Sequence, residues 1–177
     1  MNRSQPSFSH ALRVACPGMF AAVLTLLFGF GLGIVFGLNE ASIKSRLAAS
    51  AAEVRDSVYK GDDAAIKAVL GKSWEYMQRA HLHAGGLGTT AVVLTLLVVV
   101  IGASPGWTRA ISLGLGLGSL GYSVYWMLAG FRAPGLGGTG AAKESLKWLA
   151  MPSSAAIVIA TIAVAVLLAA CMLRRRE

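Results

Sequence analysis

The amino-acid sequence predicts an all-α protein, a bundle of four transmembrane helices with an amphipathic helical hairpin between the first and second spans. The chain of 177 residues is 55% hydrophobic and only 14% charged, against about 25% charged residues in an ordinary soluble domain. Thirteen of the charged side chains lie between residues 40 and 79. Uncharged runs occupy 14–39, 80–108, 110–131 and 148–173, and each exceeds the roughly 20 residues that cross a bilayer. This pattern excludes a soluble enzyme.

The runs place the spans at about 17–39, 82–103, 110–130 and 150–173, in a single membrane domain that comprises residues 1–177. The first run follows basic residues, as a signal peptide would. Its apolar core is nevertheless longer than that of a removable signal, which has about 7 to 15 residues. We therefore interpret it as a retained anchor.

The polar segment 40–79 has the pattern of two amphipathic helices. Asn39 can cap the first helix, in which apolar side chains recur at helical spacing from Ile43 onwards. A break follows at Gly61-Asp62-Asp63, and Asp62 or Asp63 can cap the second helix. We expect a helical hairpin that lies on the bundle or on the membrane interface.

Glycines repeat every four residues on two spans, at Gly29, Gly33 and Gly37 and again at Gly114 and Gly118. Small residues at this spacing let helix backbones approach closely in a membrane. The first interpretation is tight packing inside the bundle. A glycine face against a flat cofactor and a contact with another subunit are the alternatives.

The net charge of +8 does not form one basic patch. The segment 40–79 carries seven Lys and Arg against six Asp and Glu, and the arginines at 174–176 follow the last span. We therefore expect the lipid bilayer, and no nucleic acid, as the partner of these charges. Counts of Lys and Arg favour a cytoplasmic position for 40–79, but the arginines beside both termini oppose it, so composition leaves the sidedness open.

Because the four spans alternate in direction, one membrane face gathers the start of the second span, the end of the third and the start of the fourth. Two of the three histidines of the chain lie in this layer, together with methionines, aromatic residues and basic residues. Its members are Met77, Arg79, His81, His83, Tyr122, Tyr125, Trp126, Met127, Arg132, Lys147, Trp148 and Met151.

His81 and His83 lie about 200° apart around a helix and cannot face one ligand together. The face of His81 carries small residues such as Gly85, which leave clearance for a haem plane. His81 is therefore the preferred axial and metal ligand, with Met127 or Met151 as the sixth ligand. An interfacial histidine that is hydrogen-bonded to a carbonyl group is the alternative.

A local resemblance supports a haem. The second span opens with Arg79-Ala80-His81-Leu82-His83-Ala84-Gly85-Gly86-Leu87-Gly88. This stretch resembles the haem-ligand helix in the catalytic subunits of cbb3-type oxidases and nitric oxide reductases. It also resembles short membrane proteins that are similar to haem-copper oxidases and carry a His-x-Asn pattern. The resemblance implies that His81 binds a low-spin haem b near the outer face, with 40–79 outside and both termini in the cytoplasm of a bacterial inner membrane. His83 stands where the family has Asn. The helix with the family's other haem and copper ligands has no counterpart, so oxygen or nitric oxide reduction is not implied.

The leading functional hypothesis is a small membrane electron-transfer subunit that binds a b-type haem through His81 within a larger redox complex. Arg79 or Arg132 would pair with the haem propionates, and quinol or a cytochrome would exchange electrons. The second axial ligand would be a methionine or come from another subunit or a homo-oligomer. The alternatives are a cofactor-free accessory subunit and a copper protein that uses His81 or His83 with methionine sulfur. We do not expect catalysis by this chain alone.

Overall fold

The structure, a computed structural model, describes residues 7–174. In this part of the chain there are five helices in the order α1 (Phe8–Glu53), α2 (Asp63–Ile101), α3 (Pro105–Arg132), α4 (Thr139–Ser145) and α5 (Lys147–Arg174). Helices α1, α2, α3 and α5 are each long and apolar enough to cross a membrane. The predicted all-α bundle of four long apolar helices is confirmed. The predicted headgroup arginines at 175 and 176 lie outside the described residues.

Helix α3 is at the centre of the bundle and packs against α1, α2 and α5. Helix α5 packs mainly on α3, touches α2 at few points, and does not reach α1 in the described part of the chain. One apolar cluster joins all four helices and includes Ala22, Ala91, Leu115 and Val164. The packing therefore divides the bundle into a compact α1–α2–α3 unit and a peripheral α5.

The closest approach of α1 and α3 occurs where two glycines face each other. A methyl group on Gly116 would overlap the carbonyl oxygen of Gly18, and one on Gly18 would overlap the backbone of Ser112. Small residues permit such backbone contact where the surrounding lipid gives no hydrophobic drive for association. Neither of these two positions has space for a larger residue unless the helices separate.

The predicted glycine faces have the expected packing role, with one exception. An added Cβ at Gly29 would lie 3.0 Å from the Cβ of Ala84 on α2, and one at Gly118 would lie 2.8 Å from Cγ1 of Ile157 on α5. At Gly37 it would meet nothing within 4 Å. The interpretation as tight packing is confirmed for Gly29 and Gly118 and does not hold for Gly37.

The polar hairpin is an extension of the first two spans. Helix α1 bends at Asn39, whose backbone is non-helical (φ −129°, ψ 19°), and then continues to Glu53. Helix α2 begins after Asp62, whose side chain accepts a hydrogen bond from the backbone N–H of Ala65 at 3.0 Å, so the predicted cap is confirmed. From there α2 runs to Ile101 without a proline or any other break. The sequence predicted two separate helices, but nothing in α2 interrupts the hydrogen-bond ladder.

The tip of the hairpin packs against the connection between α3 and α4. The hydroxyl group of Tyr59 donates a hydrogen bond of 2.7 Å to the carbonyl oxygen of Pro134. Burial raises the pKa of this hydroxyl group above its ordinary value of 10.0. Gly137 adopts a left-handed backbone (φ 77°) beside Val58. The connection between α3 and α5 is therefore attached to the hairpin, and it contains the short helix α4.

Candidate functional site

His81 lies between α2 and α1. Its Nδ1 atom is 2.8 Å from the carbonyl oxygen of Gly29, and its ring covers Gly33, where an added Cβ would lie 3.0 Å from Cε1 of the imidazole. A carbonyl oxygen only accepts hydrogen bonds, so Nδ1 carries a proton, and in the neutral imidazole Nε2 keeps its lone pair. Nε2 has no hydrogen-bond partner among residues 7–174. The glycine repeat of α1 thus provides the space and the acceptor that orient this ring.

This geometry fits both sequence interpretations of His81. A hydrogen bond from Nδ1 to a carbonyl group is what an interfacial structural histidine makes. The same bond also fixes the tautomer and ring orientation of histidines that bind a metal through Nε2. The hydrogen bond is therefore compatible with an axial ligand as well as with a structural histidine.

His83 faces the opposite side of α2, as the helical spacing predicts. Its ring centroid lies 5.2 Å from that of Tyr122 and 5.8 Å from that of Trp126 on α3. It also lines a groove of about 210 Å³ between α2 and α5. The other residues along this groove are Leu87, Tyr122, Ser154, Ile157 and Val158. The two histidines consequently belong to different sites.

The methionines of the predicted layer are distributed over separate surfaces. Met77 is fully buried, and Met127 packs against the same apolar cluster of α1 and α2. Met151 is 61% exposed and lies on α5, the helix that does not reach α1. His81 and Met151 of one chain therefore do not face one haem.

The two arginines proposed for the propionates are exposed. The guanidinium group of Arg79 lies 5.3 Å from the ring centroids of both Tyr76 and Trp126, which gives a cation–π contact with each ring. Arg132 donates a hydrogen bond of 3.2 Å to the hydroxyl group of Ser145. Arg79 is two residues before His81, about 200° away around α2. Its contact with Trp126 places it on the same face of α2 as His83.

A second cavity, which the sequence did not indicate, lies where α1 bends. It has a volume of about 330 Å³ and is enclosed by α1, α2 and α3. We call it the bend cavity. Its lining residues are Leu32, Val35, Phe36, Asn39, Ser42, Ile43, Arg46, Met77, Met127 and Phe131. Asn39 is the one sequence signal at this position, and it was predicted only as a helix cap. Its non-helical backbone is what forms the bend.

Within residues 7–174 there is no group of three or more His, Cys, Asp or Glu side chains that could hold a metal ion. The copper alternative depends on His81 or His83 with the methionine sulfur atoms. The two histidines diverge, and Met77 and Met151 lie respectively in the interior and on the outer surface. Met77 and Met151 therefore do not converge on one copper ion, whereas a single axial position requires only the Nε2 atom of His81.

The fold and these sites define a small helical bundle of the multi-pass membrane class, with an imidazole presented in a glycine-lined notch. Comparison with protein-family models, with curated protein sequences and with solved structures finds no match for this chain.

Proposed function

We propose that this protein is a small electron-transfer subunit of a larger membrane redox complex, in which His81 supplies one axial ligand of a b-type haem. The observation that carries the proposal is the hydrogen bond between His81 Nδ1 and the Gly29 carbonyl oxygen at 2.8 Å. It holds the ring over Gly33 and leaves Nε2 available. A bound haem would supply the one-electron chemistry.

The role of the protein is to position the Nε2 atom of His81. The Gly29 carbonyl group selects the tautomer, and the absence of a side chain at Gly33 lets the ring lie against α1. The bond from Nδ1 to a carbonyl group also increases the basicity of Nε2.

The second axial ligand is best sought outside the chain. Met151 is on the far side of α3, and Met127 is packed in the α1–α2–α3 interior. A symmetry-related copy of His81 or a residue of another subunit would complete the coordination. This is the reason for proposing a subunit of a complex and not an independent redox protein.

The groove beside His83 supports quinol as the electron donor. One end carries an imidazole and a phenol, from His83 and Tyr122, and the other end is apolar, with Leu87 and Ile157. A ring with hydrogen-bonding oxygen atoms and a long apolar tail has the same distribution of polarity. Ser154 already donates its hydroxyl to the carbonyl oxygen of Ala150 at 2.7 Å, so His83 and Tyr122 are the residues available to bind the oxygen atoms.

We place the protein in a bacterial inner membrane, with both termini in the cytoplasm and the hairpin outside. This orientation follows from the resemblance around His81, which implies a haem near the outer face, and from Arg13 and Arg109 at the end of the bundle that carries the termini. The total count of Lys and Arg, ten on the hairpin side against six, favours the opposite orientation. A Lys60→Cys variant in which Cys16 and Cys171 are replaced by Ala would react with an impermeant maleimide added outside intact spheroplasts. Labelling only after lysis would reverse this orientation.

The haem proposal is tested on protein isolated with its partners from native membranes in mild detergent. Wild-type protein and the His83→Gln control should show the Soret and α bands of a b-type haem after reduction with dithionite. The His81→Gln variant should lose them and still elute with the same partners. A wild-type complex without these bands refutes the haem, and bands that persist in His81→Gln refute His81 as the ligand.

A cofactor-free accessory subunit is the second candidate. It is favoured by the dispersal of the methionines and by the structural role that the Gly29 hydrogen bond also gives to His81. In this case His81→Gln would change only the packing of α1 on α2. Co-purification of one constant membrane partner, with no haem and with unchanged activity of the complex in His81→Gln, would establish this candidate.

A further inference from the structure

The bend cavity combines an apolar interior with a polar rim. Its deeper walls include Leu32, Phe36 and Met127, and these residues belong to one apolar cluster of the bundle. Its volume of about 330 Å³ is within the usual range of about 300 to 1,000 Å³ for ligand pockets. The cavity is therefore large enough for part of an apolar chain.

The rim of the bend cavity carries an unpaired positive charge. Arg46 lies on the rim with Asn39 and Ser42, and no acidic side chain of the described residues is within ion-pair distance of it. Lys44, the neighbouring cation on the same helix, differs from Arg46 because it forms an ion pair with Glu40. The rim thus offers a guanidinium, an amide and a hydroxyl group to an anion.

The cavity opens sideways, toward the surface that faces lipid. Val35 on α1 and Phe131 on α3 both line it and are 44% and 39% exposed. The polar rim follows the bend at Asn39, beyond the predicted end of the first span, whereas Leu32 and Val35 lie within that span. The polarity of the cavity therefore changes in the same direction as that of a bilayer, from headgroups to hydrocarbon.

We propose that the bend cavity is a binding site for an anionic phospholipid, with the phosphate group on Arg46, Asn39 and Ser42 and an acyl chain along Leu32 and Val35. Guanidinium groups bind phosphate through paired charge-assisted hydrogen bonds. A lateral opening admits a lipid directly from the membrane. The bound lipid fills the space that the bend leaves between α1 and α3 and so stabilises the hairpin. This site is independent of the haem.

The headgroup preference is tested with purified full-length protein in detergent, by native mass spectrometry with phosphatidylglycerol or phosphatidylcholine. We expect phosphatidylglycerol to bind about tenfold more tightly, and Arg46→Gln to remove this preference. Lys44→Gln is the matched control, because it removes a charge from the same helix outside the cavity. Equal affinity for the two lipids, or an equal loss in both variants, would overturn the proposal.

The position of the acyl chain is tested by closing the opening. Val35→Trp places a bulky side chain at the mouth, and Ile34→Trp places the same side chain on the adjacent exposed surface, outside the cavity. We expect Val35→Trp to lower phosphatidylglycerol binding about tenfold and Ile34→Trp to leave it unchanged. Undiminished binding in Val35→Trp shows that the lipid lies elsewhere. Thermal unfolding of each variant separates loss of the site from loss of the fold.

Discussion

The contact between α1 and α3 at Gly18 gives the sharpest prediction about the fold. Gly18→Ala adds one methyl group, which would overlap the carbonyl carbon and oxygen of Ser112. Backbone atoms cannot rotate away as a side chain can, so the two helices must separate. Gly31→Ala is the matched control on the same helix, because a methyl group there meets nothing within 4 Å.

The difference in stability between Gly18→Ala and Gly31→Ala measures the cost of this steric overlap. Both gain about 1 kcal/mol of helix propensity when Gly is replaced by Ala. Overpacking costs about 1 to 3 kcal/mol in well-packed interiors, and only Gly18→Ala is subject to it. We therefore expect Gly31→Ala to equal or exceed the wild type in stability, and Gly18→Ala to be about 1 to 3 kcal/mol less stable than Gly31→Ala.

The assay is reversible unfolding in mixed detergent micelles with an increasing fraction of dodecyl sulfate, followed by near-ultraviolet circular dichroism. Both variants should retain the same far-ultraviolet helix signal before the transition. Equal midpoints for Gly18→Ala and Gly31→Ala, or a higher midpoint for Gly18→Ala, would refute the close approach of α1 and α3.

Three further predictions concern the hairpin and α5. Tyr59→Phe leaves the Pro134 carbonyl group without its donor and should cost about 0.5 to 1.5 kcal/mol in thermal unfolding. The pKa of Tyr59 is raised in the fold, so the contribution of its hydroxyl group to stability is complete below pH 10.0 and is lost as the pH rises through the raised pKa. Tyr59→Phe should weaken this loss of stability at alkaline pH. An unchanged dependence of stability on pH would contradict the burial of Tyr59. Asp62→Ala removes the cap of α2 and should cost about 1 kcal/mol by the same measurement, whereas no change would show that water replaces the cap. Met151→Leu should leave the b-type absorption bands unchanged, because α5 does not reach His81, and their loss would assign Met151 as a ligand.

The sequence predicts the helices well, because hydrophobic run length and charge placement are local properties. It also predicts the divergence of His81 and His83, which follows from the pitch of one helix. It does not predict that α2 is continuous through the polar segment. Both the amphipathic pattern before Arg79 and the apolar pattern after it are helical, and only a break between them would have separated the two helices.

The contacts between helices depend on their rotation and register, which the sequence leaves undetermined. A common layer brought Met151 together with His81, but Met151 lies on the outer surface of α5, which does not reach α1. The partner of Tyr59 is 75 residues away in sequence at Pro134. Likewise, the bend cavity exists only because α1 changes direction beside α3, and Asn39 alone does not indicate that direction.

The amount of haem b per protein chain in the complex isolated from native membranes tests the central claim most directly. The account predicts that wild-type complex contains haem b in a fixed ratio to this chain, and that His81→Gln lowers this ratio to the background of an unrelated membrane protein. An intact complex that contains no haem b, or one whose haem content is the same in His81→Gln, would contradict it.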